Sequence, residues 1–257
     1  MIMSMIYSII ILLNFYILFH LGLIPLPPYL PLSTYYQSNP LPSDELFLKK
    51  EKRYPPLRLS PPPPYVPTFD HFVLAETWPA TFCKIKRCVN PMPINFTIHG
   101  LWPNNRNSQP RNCQTIQKLD WNIMAGLKNQ LNKDWPSLIK GSHNIVFWNE
   151  QWTVHGTCSL LDPYEYFYQT LKIYNKHNIR HILRKENIMP SRNPTLKHDI
   201  INAIVNHIHF TPQIRCVNIS NQFYLYEIRL CLTASNNPQY KNCDTPFINC
   251  RHNNVYL

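Results

Sequence analysis

The sequence predicts an α+β domain. Segments with two-residue apolar alternation are interspersed with segments of three- and four-residue spacing, and there is no regular βαβ pattern and no internal repeat. All eight cysteines (83, 88, 113, 158, 216, 231, 243 and 250) fall beyond residue 82. Just over half of the 25 prolines lie ahead of them, in runs such as PLPPYLPL and PPPPYVP, so the first part of the chain cannot pack like the rest. One domain over residues 69–257 is expected, long enough to bury a core.

Ile6 to Leu23 is almost wholly apolar, which fits a secretory signal peptide or a signal anchor over residues 1–24. No Lys or Arg precedes the run, no A-x-A-like site follows it, and its length would also span a bilayer. A cysteine-rich domain downstream favours cleavage and export. Residues 25–68 read as a Pro-rich linker, semi-rigid or disordered, or as sequence that the mature protein lacks. Phe72–Thr77 alternates and ends at Trp78-Pro79, a strand; Asn95–Gly100 is another. In the second, Phe96 and Ile98 point one way while Thr97 and His99 point the other. Between Leu119 and Trp135, the spacing of Trp121, Met124, Leu127 and Leu131 predicts an amphipathic helix. Tyr164, Phe167, Tyr168, Leu171 and Tyr174 predict a second helix, and Ile200, Ile201, Ile204 and Ile208 a third. Phe223–Leu232, rich in aromatic and branched residues, predicts a strand.

Of a net charge of +11, five cations and four anions fall in residues 1–70, which leaves +10 for the domain. Such a domain attracts polyanions: nucleic acid, or an anionic membrane or cell wall. An even number of cysteines with no CxxC pair reads as four disulfides rather than a zinc or redox site, and eight cysteines allow about 105 pairings.

Two of the eleven histidines have distinctive settings. His99 lies on the polar face of its strand and precedes Gly100, where backbone can approach a ligand closely. His155 follows Gln151 by four residues and Trp148 by seven, one stripe of a helix that Gly156 allows to end. His177, His181, His198 and His252 read as surface or capping residues, and His207 and His209 lack a third ligand, so no metal site is expected. Cleaving RNA takes a base for the 2′-hydroxyl, an acid for the departing 5′-oxygen, and donors at the phosphate. Two imidazoles can do this without a metal, since each titrates near neutrality.

FTIHGLWPNN and FWNEQWTVHGTC resemble the two active-site segments of the ribonuclease T2 family. FVLAETWPATFC, LNKDWPSL, and FYLYEIRLCL with Cys243 and Cys250 resemble its plant members, so the similarity covers about Phe69 to Cys250. The basic charge and flanking segments are most similar to plant S-RNases. The resemblance implies a central antiparallel sheet flanked by helices, and cleavage of single-stranded RNA through a 2′,3′-cyclic phosphate. It implies His155 as general base and His99 as general acid, with roles reversed in the second step, and no cofactor. It pairs Cys83 with Cys88, Cys113 with Cys158, Cys216 with Cys250, and Cys231 with Cys243. Trp102 is placed near the bound base, with a core role equally open to it, and Trp148 joins it as a substrate-binding candidate.

Two positions depart from the family pattern: Gln151 stands where Glu is usual and Val154 where Lys is usual. Gln151 can still donate to a phosphate oxygen, whereas Val154 removes a cation from where negative charge accumulates. Glu150, about 100° around a helix from Gln151, is not counted as its replacement. Asn218 and Asn95 head N-glycosylation sequons, the latter inside the strand that carries His99. The expectation is a secreted, monomeric extracellular ribonuclease with no stable membrane partner, most like a style S-RNase that meets a pollen-side recognition protein. The alternatives are an S-like ribonuclease for phosphate recycling or defence, or a catalytically impaired recognition protein.

Overall fold

The computed structural model describes residues 68–257. The expectations for residues 1–24 and for the Pro-rich segment therefore lie outside the described residues, Thr68 apart.

In chain order the strands are β1 (His71–Thr77), β2 (Thr97–Asn104), β3 (Thr195–Leu196), β4 (Gln213–Ile219), β5 (Gln222–Thr233), β6 (Tyr240–Lys241), β7 (Phe247–Ile248) and β8 (Asn254–Val255). The α-helices are α1 (Pro79–Ile85), α2 (Lys128–Asp134), α3 (Asn144–Val154), α4 (Pro163–Tyr174), α5 (Ile179–Lys185) and α6 (Lys197–Ile208). The main sheet runs β2-β1-β5-β4-β7, with β6 also paired to β5, and only β4 and β7 are parallel. This is the α+β arrangement expected.

β1 lies between β2 and β5 and is buried along its whole length. Its alternation sends Phe72 and Leu74 into the main core, and Val73 and Ala75 into a smaller cluster with Trp102, Cys231 and Cys243. β2 begins two residues later than expected and continues through Leu101, Trp102 and Pro103. Pro103 is tolerated because β2 is an edge strand, so the missing N–H costs no ladder bond. Asn95 is thus exposed ahead of the strand rather than inside it.

The helix expected from Leu119 also starts later. Asp120 Oδ1 accepts from the Asn122 N–H at 2.8 Å, a local turn that competes with helix, and a 3₁₀ turn over Ile123–Leu127 precedes α2. Met124, Leu127 and Leu131 keep their inward direction. In α4, capped by Asp162, the buried face is Tyr166, Phe167, Thr170, Leu171 and Ile173. Tyr164 and Tyr168, expected on that face, instead stack at 6.0 Å on the solvent side, where their hydroxyls stay wet. α6 buries Ile200, Ile201, Ile204 and Ile208 as expected. Disulfides join Cys83–Cys88, Cys113–Cys158, Cys216–Cys250 and Cys231–Cys243.

Glu76 is 1 % exposed on the core side of β1, its Oε1 has no hydrogen-bond partner, and burial pushes its pKa well above the ordinary carboxyl value. The folded chain therefore holds a proton there that the unfolded chain releases above its own, lower pKa, so this group costs stability as pH rises, with a slope of about 1.4 kcal/mol per pH unit. Glu76→Gln removes the ionisation. Its stability relative to the parent is expected to improve progressively as pH rises above the ordinary carboxyl range, as read by denaturant melts. A pH-independent difference would contradict the neutral carboxyl.

Candidate active site

The site is built where β2 breaks register. Ala75 pairs with Gly100 but Glu76 pairs with Ile98, so His99 is the extra residue of a β-bulge. Ile98 and Leu101 consequently both enter the main core, and His99 joins Trp102 on the opposite face of the sheet. The bulge backbone is held from the core side. Trp135 Nε1–H donates to the His99 carbonyl at 3.0 Å, and the Tyr166 hydroxyl donates to the Leu101 carbonyl at 2.9 Å.

Across β1, strand β5 presents Glu227 and Arg229 to the same face. His99 Nδ1 donates to Glu227 Oε2 at 2.9 Å, and Arg229 Nε donates to Oε1 at 2.5 Å. Glu227 is wholly buried; burial alone would raise its pKa, but the His99 hydrogen bond and the Arg229 charge prevail and bring it to about 2. An ionised carboxylate thus fixes the imidazole orientation and leaves Nε2 on the outer side of the ring.

The second half comes from α3. Its last turn carries Gln151, and His155 caps its C-terminus through an N–H to the Gln151 carbonyl at 3.1 Å. Gln151 Oε1 accepts from Trp102 Nε1 at 3.1 Å, which leaves its NH₂ as the donor end for a ligand. The Trp102 indole touches both histidines: His99 meets it edge-on at 5.0 Å and His155 lies tilted at 5.3 Å. Arg229 sits 5.1 Å from the same ring. At 6 % exposure Trp102 is a buried wall that both imidazoles contact.

Gly100 is required by this packing. A Cβ there would fall 2.2 Å from Gln151 Oε1 and 2.4 Å from Trp102 Nε1. Gly156 has a different reason from the one expected. It is not in a left-handed conformation but opens a 3₁₀ turn, and its missing Cβ makes room for Trp152, whose Cε3 would be 2.3 Å away.

His155 is 5 % exposed and its Nδ1 has no partner. Burial, with the charges of Arg111 and His99 acting the same way, lowers its pKa to about 3, so the ring is neutral over the physiological range. Arg111 belongs to a loop pinned to the end of α3, by the Asn112 N–H to the Val154 carbonyl at 2.9 Å and by the Cys113–Cys158 disulfide. It supplies a cation near His155 although Val154 supplies none.

A cavity of about 210 Å³ opens beside His99, walled by Thr77, Phe82, Ser137, Phe147, Glu150 and Gln151 among others. Glu150 and Gln151 therefore reach the same cavity despite their angular separation on α3. Trp148, in contrast, does not belong to the site. It is 1 % exposed, stacks near Trp121, and donates to the Trp135 carbonyl at 2.7 Å. Since Trp135 in turn holds the His99 carbonyl, Trp148 positions the bulge from behind. Asn218 is exposed at the end of β4, its Oδ1 accepting from the Asn221 N–H at 3.0 Å.

Sequence reasoning missed Glu227, Arg229 and Arg111. The first two carried a signal: opposite charges two residues apart on one face of an otherwise apolar strand. Arg111 carried none, because a long-range disulfide and a long-range backbone bond bring it to His155.

A disulfide-bonded α+β domain with two histidines around one indole, one paired to a buried carboxylate and the other buried and neutral, is equipped for metal-free acid–base chemistry. The Ribonuclease T2 family model matches residues 69–243. The chain belongs to the Ribonuclease T2 family. It is 34 % identical over 176 residues to the intracellular ribonuclease LX of Solanum lycopersicum, covering 65 % of this chain and 74 % of that protein. Among solved structures it is similar to RNase NT in complex with 5′-AMP, at a TM-score of 0.64 and 30 % identity, covering 73 % of this chain and 96 % of the other. It is also similar to the self-incompatibility-associated SF11-RNase of Nicotiana alata, at a TM-score of 0.65 and 28 % identity, covering 73 % and 98 %.

Gly100→Ala is expected to break the Trp102–Gln151 contact, lowering turnover of RNA by about 100-fold and stability by about 1–3 kcal/mol. Steady-state assays and melts check this; unchanged turnover would show that the spacing set by Trp102 is dispensable.

Proposed function

We propose that the chain is a secreted endoribonuclease that cleaves single-stranded RNA through a 2′,3′-cyclic phosphate, with His155 and His99 as its base and acid. The observation that carries this reading is the unequal environment of the two imidazoles that meet Trp102. Neutral His155 takes the proton from the 2′-hydroxyl as that oxygen attacks phosphorus. The bond from phosphorus to the 5′-oxygen breaks, and His99 gives that oxygen its Nε2 proton while Glu227 holds the Nδ1 side. In the second step His99 takes a proton from water, water attacks the cyclic phosphate, and His155 returns a proton to the 2′-oxygen. The Gln151 amide donates to a phosphate oxygen, and Arg111 offsets the negative charge that Val154 cannot.

The basic domain and the likeness to a self-incompatibility ribonuclease support a style S-RNase role, in which residues 1–24 are removed as an export signal and 25–68 precede the catalytic domain as a linker. Protein confined to styles, with a mature N-terminus beyond residue 24, is the expected finding; leaf or root expression induced by phosphate starvation would point to the S-like role instead. Val154 favours one other reading, an RNA-binding member that turns over weakly. Parent activity no higher than that of His155→Ala would establish it.

His155→Ala and His99→Ala are each expected to lower kcat by about 10²–10⁴-fold, with activity retained in chelator. Because His155 must be neutral to act as a base, activity is expected to fall on the acid side only near its depressed pKa of about 3. Arg111→Ala removes one of the causes of that depression, so the acid limb of kcat/KM should move to higher pH while kcat falls. An acid limb that stays in place would contradict the placement of Arg111.

A further inference from the structure

A second cleft lies on the same face of the sheet as His99. In the β4–β5 ladder Arg215 pairs with Glu227 and Cys216 with Leu225, so Tyr226 is the extra residue of another bulge and faces the site side beside Glu227. Cys216 and Leu225 enter the main core, which turns Arg215 the other way. Its guanidinium lies 4.9 Å from the centre of the Tyr226 ring, and the other side of that ring stacks on Phe82 at 6.0 Å. Phe82 is a wall of the cavity that contains His99. The stacked Phe82–Tyr226 pair therefore contributes one ring to each depression. The second has a volume of about 420 Å³, and its wall includes Arg215, Asn218, Phe223, Tyr226 and the exposed Arg251. Among the described residues no carboxylate lines it. Helix α1, which carries Phe82 and the cleft residue Ile85, also carries Lys84, which lies over the Tyr224 ring at 5.2 Å.

Two guanidinium groups with no carboxylate partner among the described residues, in a shared cleft, suit phosphate oxygens, which Arg binds in a planar, two-point fashion. Stacking on Tyr226 fixes the plane of Arg215 before any ligand arrives. We propose that the cleft is a second RNA-binding site, where Arg215 and Arg251 hold phosphates of the same RNA strand beyond the scissile one. The assignment rests on the ribonuclease reading of the His99–His155 site, and it makes affinity depend on substrate length.

The test compares Arg215→Gln, Arg251→Gln and the double variant with the parent, all freed of N-glycans because Asn218 stands on the rim. One arm measures binding of an uncleavable 2′-O-methyl oligonucleotide of about 20 nucleotides across a salt series; the other measures kcat/KM on a dinucleoside monophosphate too short to reach the cleft. The double variant is expected to bind the oligonucleotide about 10-fold more weakly, with the logarithmic salt slope reduced by about 1.4, for two lost phosphate contacts. Dinucleotide cleavage should stay within about twofold of the parent. Unchanged oligonucleotide binding would overturn the proposal, as would an equal loss in both arms, which would mean that Arg215 acts through Glu227 on the catalytic pair. The Arg251 side chain is exposed, so its variant keeps the test valid if Arg215→Gln unfolds. If the parent fails to cleave the dinucleotide, the catalytic reading falls, and the binding arm still decides the cleft.

Discussion

The ionised Glu227 carboxylate is the interaction on which the site depends. Burying a charge costs several kcal/mol unless it is paired and hydrogen-bonded, and here His99 and Arg229 each take one oxygen. Removing either partner would leave a buried charge exposed to that penalty, about 3–5 kcal/mol. Glu76, on the neighbouring strand, supplies the contrast. It is buried as fully but on the other face of the sheet, without a partner, and its carboxyl is held neutral. Two buried glutamates of one sheet thus differ in charge because only one faces cations. The linkage signs differ too: the pairing of Glu227 stabilises the fold above the ordinary carboxyl pKa and is lost as pH falls toward about 2, whereas Glu76 favours the fold at low pH.

Everything else holds two elements at fixed distance around that anchor. The bulge turns His99 toward Glu227, and the chain of bonds from Trp148 to Trp135 to the His99 carbonyl ties the bulge to α3. Trp102 and Gln151 close the loop on the solvent side. The Cys113–Cys158 bond fastens the Arg111 loop to the turn that follows His155. The imidazoles are consequently placed by packing from opposite sides rather than by one loop, as a pre-organised acid–base pair requires.

Much of this was legible in the sequence wherever the signal was local. Strand β5, helix α6 and the two histidine segments follow from apolar spacing and from motifs that lie in one stretch of chain. What was not legible arises between stretches. The bulge at His99 exists only in pairing with β1, so alternation alone placed the strand correctly in part and ended it too soon. Trp148 has the same helical spacing to His155 as a site residue would have, and only the neighbouring Trp121 and Trp135 make it a core residue. Tyr164 and Tyr168 show the reverse, aromatic residues at core spacing that remain outside because a tyrosine edge tolerates water.

The central proposal is that the bulge-borne His99 and the helix-capping His155 act on one phosphodiester beside Trp102. A crystal structure with a 2′-deoxy dinucleotide bound measures this directly. The account predicts the phosphorus between the two rings, with His99 Nε2 about 2.6–3.2 Å from the 5′-oxygen and a His155 nitrogen at hydrogen-bonding distance from the place a 2′-hydroxyl would occupy. A phosphate bound with either imidazole out of reach of those positions would contradict it.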